Sequence, residues 1–200
     1  MYINNIKNDL EIKGHIINIH SSVEMVNCEI LTYGQNNTLI IDEGVKLYNV
    51  KFRFEGSDSI LHIKSNTRIH QNALLWLEYN TSIIIGNNTR IEGLHIASLE
   101  GKKVIIGNDC LFAHDIEMRT GDSHFIYEKG THDRINNPSD IIIGNHVWVC
   151  AYSKIMKGVN IKDDCVIGSS SLVNKSFEES NVIIAGTPAK IIKRNIEWSR

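Results

Sequence analysis

The sequence predicts an all-β chain wound as a parallel β-helix, and three observations carry that prediction. From Ile143 an aliphatic residue returns every six positions, at Val149, Ile155, Ile161, Ile167 and Val173. Four positions after each lies a second column: Val147, Ser153, Val159, Cys165, Ser171 and Phe177. Upstream, Ile19, Ile41, Ile63 and Ile85 stand 22 residues apart and each opens a similar unit. An α-helix would repeat its apolar residues at three and four, and a plain amphipathic strand would alternate without a break. Six therefore means a short strand plus a corner. One such unit cannot bury its aliphatic residue alone, whereas stacked coils share a continuous core.

Taken in order, the early units are Ile19 to Met25, Ile41 to Leu47, Ile63 to Ile69 and Ile85 to Ile91, followed 21 residues later by Ile106 to Phe112. Between Ile143 and Ile161 the period is 18, which is three hexads per coil, so the earlier coils carry three or four extra turn residues. Asn, Gly and Asp at the corners suit the left-handed backbone of tight turns. Pro138 and Pro188, the only two prolines, fall outside the best hexads, as expected of a residue that cannot donate to a ladder.

The interval from Ile106 to Ile143 is 37 residues, so about 15 to 19 residues leave the coil as an excursion, placed within 119–140. Its polar, charged, turn-forming composition marks a loop of the kind that carries function on a regular scaffold. After Phe177 come an apolar strand Val182 to Ala185, a turn at Gly186 to Pro188, and a segment to Arg200. There Ile191, Ile192, Ile196 and Trp198 have helical spacing, so 178–200 is expected to be a cap ending in a short helix.

Two hundred residues are expected to form one domain, 1–200, since a solenoid fills that length without an internal boundary. The net charge of -2 provides no global field for nucleic acid or anionic membrane. There is no charged-then-apolar leader and no run near the roughly 18 apolar residues of a membrane span, so the expected compartment is the cytoplasm. Cys28, Cys110, Cys150 and Cys165 form no CxxC pair; Cys110 and Cys165 fall in the small-residue column, where a thiol packs as a small hydrophobe.

His124 is the candidate for chemistry. It lies in the excursion rather than in a hexad column, and a neutral imidazole is well matched to accepting a proton near pH 7. As one of nine histidines it could equally just solvate a loop. Asp122, two residues earlier, is placed to fix the tautomer of such a base. Arg119 and Arg134 could meet a substrate carboxylate through paired hydrogen bonds, and Tyr127 and His146 are further substrate-side candidates. Trp148, read by itself, is an outer-face aromatic or a subunit contact.

Ile143-Gly-Asn-His-Val-Trp-Val149, the hexads after it and Ile184-Ala-Gly-Thr-Pro-Ala-Lys190 resemble the hexapeptide-repeat acyltransferases, whose fold is a left-handed parallel β-helix. The handedness is what the resemblance implies; parallel crossovers are ordinarily right-handed. Arg119-Thr-Gly-Asp-Ser-His124, with Trp148 in Gly144-Asn-His-Val-Trp148, resembles more narrowly the bacterial sialic acid capsule O-acetyltransferases. That resemblance implies an acetyl-CoA-dependent O-acetyltransferase acting directly in a ternary complex. His124 would then be the base on a sugar hydroxyl, and Trp148 an active-site residue whose indole N–H helps hold the developing oxyanion. It further implies a homotrimer with sites between subunits. Carried over by position, Ala151, Ser169 and Ser170 line the pantetheine path with Trp148 and with Lys175 nearby. Thr187, Pro188, Ala189 and Lys190 meet the nucleotide end, and Lys193 and Arg194 are candidates for the ribose phosphate. Cys150, where many relatives have glycine, and Tyr152 after it would reshape that channel.

The same reaction on another polysaccharide, a nucleotide sugar or a small xenobiotic is the alternative acceptor class. A non-catalytic β-helix scaffold would need neither His124 nor Trp148 in this arrangement. A zinc carbonic anhydrase on the same helix would need three convergent histidines, whereas His114 is third and His146 fourth in their hexads, so no metal is expected.

Overall fold

In a computed structural model the structure describes residues 13–200; the first twelve residues of the expected domain lie outside the described residues. Seven coils of three strands follow one another. They are Ile16–Ile19, Glu24–Val26 and Glu29–Thr32 (β1–β3); Thr38–Ile41, Lys46–Tyr48 and Val50–Phe54 (β4–β6); and Ile60–Ile63, Arg68–Ile69 and Ala73–Leu77 (β7–β9). Then come Ser82–Ile85, Arg90–Ile91 and Leu94–Ser98 (β10–β12); Lys103–Ile106, Leu111–Phe112 and Ile116–Arg119 (β13–β15); Ile141–Ile143, Trp148–Val149 and Lys154–Met156 (β16–β18); and Asn160–Ile161, Val166–Ile167 and Leu172–Val173 (β19–β21). Val182–Gly186 (β22) and Ala189–Arg194 (β23) close the chain.

Three sheets result, parallel except for the β22–β23 pair that ends the second. Sheet A is β1-β4-β7-β10-β13-β16-β19, sheet B runs from β2 through β20 to β22 and β23, and sheet C is β3-β6-β9-β12-β15-β18-β21. The register is the one the repeat dictates: Ile19, Ile41, Ile63, Ile85, Ile106, Ile143 and Ile161 are successive partners. These isoleucines meet Leu47, Ile69, Ile91, Phe112, Val149 and Ile167 from sheet B and Phe52, Leu75, Ile96, Met118, Ile155 and Val173 from sheet C in one buried core. Val147, Ser153, Val159, Cys165, Ser171 and Phe177 are buried at the corners. Cys110 is fully buried, and burial pushes its thiol up to about 11, so it packs and does not react.

The corner between sheets A and B shows why the turn residues are what they are. Gly44, Asn66, Asn88, Asp109, His146 and Asp164 occupy one position in six successive coils, all with φ between 51 and 68°. Asn and Asp tolerate this left-handed conformation, and His146 is the outlier of the column. The extra residues of the early coils sit at the corner from sheet C to sheet A, between β3 and β4 and its successors. The excursion, residues 120–140, leaves from that same corner.

The expected C-terminal helix is not formed. Ala189–Arg194 is a strand, antiparallel to β22 with Val182 opposite Arg194, and its register shifts between Ile183 and Ile184. Two physical reasons account for it. The open edge of β22 offers unpaired backbone groups that a hairpin satisfies at once, and the β-branched pair Ile191 and Ile192 suits a strand. Beyond Arg194 the tail has no regular structure and lies back across the corner between sheets A and B. There the Trp198 indole donates to His146 O (2.9 Å), and Arg200 donates to Asn88 O (2.7 Å) and Cys110 O (3.2 Å).

Candidate active site

The excursion is a short antiparallel loop: Tyr127 bridges Arg134, and Ile135 donates its N–H to Ile126 O at 2.9 Å. It returns to the coil where Ser139 N donates to Thr120 O (2.9 Å). His124 is exposed, and its imidazole makes no hydrogen bond among the described residues. The ring is thus available to an incoming hydroxyl, whereas the backbone that carries it is tied down.

Asp122 does not hold the His124 ring within the chain. Its Oδ2 accepts from Lys157 Nζ and from Asn136 Nδ2 (2.9 Å). The Lys157 ammonium first, and the Asn136 amide after it, keep the Asp122 carboxyl below its ordinary range against a desolvation that would raise it. Asn136, 8% exposed, is the hub the sequence reading missed. Nothing in its composition or spacing distinguishes it from the loop's other turn formers.

Arg119 Nη2 reaches Ser123 Oγ at 3.3 Å, beside His124. Arg134 is engaged inside the chain: Nη2 forms an ion pair with Glu100 Oε2 at 2.6 Å, and the Phe125 ring covers its guanidinium at 4.2 Å. Tyr127 is exposed, edge-on to Phe125 at 6.2 Å.

Trp148 projects from the outer face of sheet B in an apolar row with Leu111 and Val166 as register neighbours. Its indole N–H has no partner among the described residues, and Trp198 leans on the ring at 5.9 Å. Trp198 in turn stacks on His146 at 4.1 Å and 8°, while His146 Nδ1 meets Asp164 Oδ1 at 2.8 Å. Trp198→Ala removes that stack and one hydrogen bond, so it is expected to cost about 1–2 kcal/mol. The check is a denaturant titration at fixed protein concentration, where an unchanged midpoint would show that the tail contributes nothing. His124 is on the corner between sheets C and A and Trp148 on the face of sheet B, and the two rings make no contact within one chain.

The residues proposed for the donor divide between corners. Ala151, Ser169, Ser170 and Thr187 lie together where sheet B turns into sheet C: Ser169 Oγ and Ser170 N both donate to Ala151 O (2.9 Å), and Thr187 Oγ1 donates to Ser170 O (3.4 Å). Pro188, Ala189 and Lys190 follow directly into β23. Lys190 and Lys193 are exposed with no ion pair among the described residues. Arg194 is taken by Glu179 through two contacts (2.6 and 3.0 Å). Lys175 sits instead on the corner from sheet C to sheet A, its Nζ 5.6 Å from the Phe177 ring centre. Tyr152, exposed at φ 63°, stands edge-on to His114, so His114 and His146 occupy different corners.

Residues 140–175 match the family model described as bacterial transferase hexapeptide (six repeats). The chain is 38% identical over 188 residues to the polysialic acid O-acetyltransferase of Neisseria meningitidis, covering 94% of this chain and 86% of that one. It superposes on the crystal structure of the polySia-specific acetyltransferase NeuO with a TM-score of 0.84 at 35% identity, over 94% of this chain and 79% of the other. Galactoside acetyltransferase in complex with coenzyme A matches with a TM-score of 0.52 at 26% identity, over 66% of this chain and 64% of that one. A coil of the opposite hand would not superpose on NeuO, so the β-helix is left-handed. In repeat, handedness and close relatives, the chain belongs to the hexapeptide-repeat O-acetyltransferases.

Proposed function

We propose that this protein transfers the acetyl group of acetyl-CoA to a hydroxyl of a sialic-acid-containing capsular or surface polysaccharide. The observation that supports this most is His124: an unpartnered imidazole on a firmly held loop, within the Arg119-to-His124 motif, in a chain whose close relatives are polysialic acid O-acetyltransferases.

Acetyl-CoA supplies the thioester when bound. Ala151, Ser169, Ser170 and Thr187 would hold its arm along their corner, and Lys190 and Lys193 its phosphates. His124 would accept the proton of the acceptor hydroxyl as that oxygen attacks the thioester carbonyl; the carbon–sulfur bond then breaks, and CoA leaves as the thiol with the proton returned from His124. The unpartnered Trp148 Nε1–H would donate to the carbonyl oxygen as negative charge gathers there. Arg119, whose side chain is bound among the described residues only to Ser123 beside His124, is the cation we assign to an acceptor carboxylate. We read the transfer as direct, in a ternary complex, with His124 acting on the acceptor.

Because His124 and Trp148 sit on different sides of one coil, the reading includes a homotrimer with sites between subunits. The outer face of sheet A supports association: Ile40, Ile84, Ile105 and Ile142 lie in one register row, interrupted by His62. No helix among the described residues is long and apolar enough to cross a membrane, and we place the enzyme in the cytoplasm, modifying polymer before export.

Thiol release from acetyl-CoA should appear with polysialic acid and mixed sialic acid polymers, and not with neutral capsules or simple sugars. Release with neutral acceptors alone would move the acceptor to another class. Acetyl-CoA binding with no release on any glycan would favour a binding scaffold.

A further inference from the structure

Five consecutive residues around His124 are each held from outside the segment. Asp122 Oδ2 accepts from Asn136 and Lys157; Ser123, in the left-handed region at φ 63°, accepts at Oγ from Arg119. His124 O accepts from Asn136 Nδ2 at 2.8 Å, the Phe125 ring lies on the Arg134 guanidinium, and Ile126 N–H donates to Asn136 Oδ1 at 2.8 Å. Arg134 Nε reaches the same Oδ1 at 3.3 Å. The carboxamide of Asn136 is therefore fully used, two donors and two acceptor sites, and turning it over would set its NH2 against two other donors. Lys157, just past β18 in the body of the coil, donates to Asn136 O (2.9 Å) as well as to Asp122, which fixes the hub to the scaffold.

We propose that Asn136 is a positioning residue for the transfer reaction: held by Lys157, its carboxamide fixes the backbone of His124 and so the place from which the imidazole reaches the acceptor. This rests on the reading of His124 as the base. The ring itself has no hydrogen bond among the described residues, so its place is set by the main chain, which the hub's carboxamide holds at Asp122, His124 and Ile126. A misplacement of about 1 Å in a catalytic group can cost about a hundredfold.

Asn136→Ala should lower kcat for acetyl transfer by about 10- to 100-fold, with the KM for acetyl-CoA and the oligomeric state unchanged. Asn136→Asp serves where the alanine variant does not fold: it keeps Oδ1 for Ile126 and Arg134, removes the donors to His124 O and Asp122 Oδ2, and sets an oxygen against both. Lys157→Arg, which can still donate to both partners, should retain more activity than Lys157→Met. The deciding measurement is the double variant with His124→Ala. If Asn136 acts through His124, its substitution should not reduce further the residual rate of His124→Ala. A loss that multiplies in the double variant would make Asn136 a general structural residue and overturn the proposal. Wild-type kcat in Asn136→Asp, with His124→Ala inactive, would overturn it too while leaving His124 as the base. Wild-type turnover in His124→Ala would instead remove the base reading beneath it.

Discussion

His124→Ala is expected to reduce acetyl transfer by about a hundredfold to ten-thousandfold, the usual contribution of a positioned general base. The fold should be untouched, because the ring is exposed, lies outside every coil and makes no hydrogen bond among the described residues. Binding of acetyl-CoA should also persist, since the corner formed by Ala151, Ser169, Ser170 and Thr187 is a different part of the coil. The measurement is turnover with a sialylated polymer beside a direct acetyl-CoA titration. Wild-type turnover would take His124 out of the mechanism, and loss of acetyl-CoA binding would place it on the donor.

Trp148→Phe should lower turnover by about a hundredfold to a thousandfold, the scale on which one donor to a developing oxyanion acts. Phenylalanine keeps the apolar row with Leu111 and Val166 but lacks the indole N–H, so the loss reports the donor and not the packing. The pair of variants also addresses assembly. If one site takes His124 from one subunit and Trp148 from another, dissociating and re-mixing the two inactive variants should restore about a quarter of the sites. A mixture as inactive as its parts would place both residues of a site on one chain, and a monomer in sedimentation would dispose of the shared site altogether.

The coils were legible in the sequence because their physics is periodic. A buried aliphatic at every sixth position, corner residues that tolerate positive φ, and a repeat of 22, 21 or 18 fix the register strand by strand, and Ile19 through Ile161 pair as the spacing requires. The excursion was legible as well, as the one interval that broke the period. The tail was misread because periodicity is weak evidence over a dozen residues. Ile191, Ile192, Ile196 and Trp198 satisfy a helical spacing, but the open edge of β22 competes for the same backbone and wins.

The site divides along the same line. The sequence by itself determined the β-helix and the loop and singled out His124 and Trp148 as candidates, since these depend on local pattern and on a motif of consecutive residues. Only the tertiary structure decided what holds them. It set Asp122 on Lys157 and Asn136 rather than on the His124 ring, put Arg134 under Phe125, brought Trp198 against Trp148, and moved Lys175 to another corner. Each of these is a contact between residues whose separation along the chain follows no period, and a hydrogen bond is specified by where two atoms end up in space.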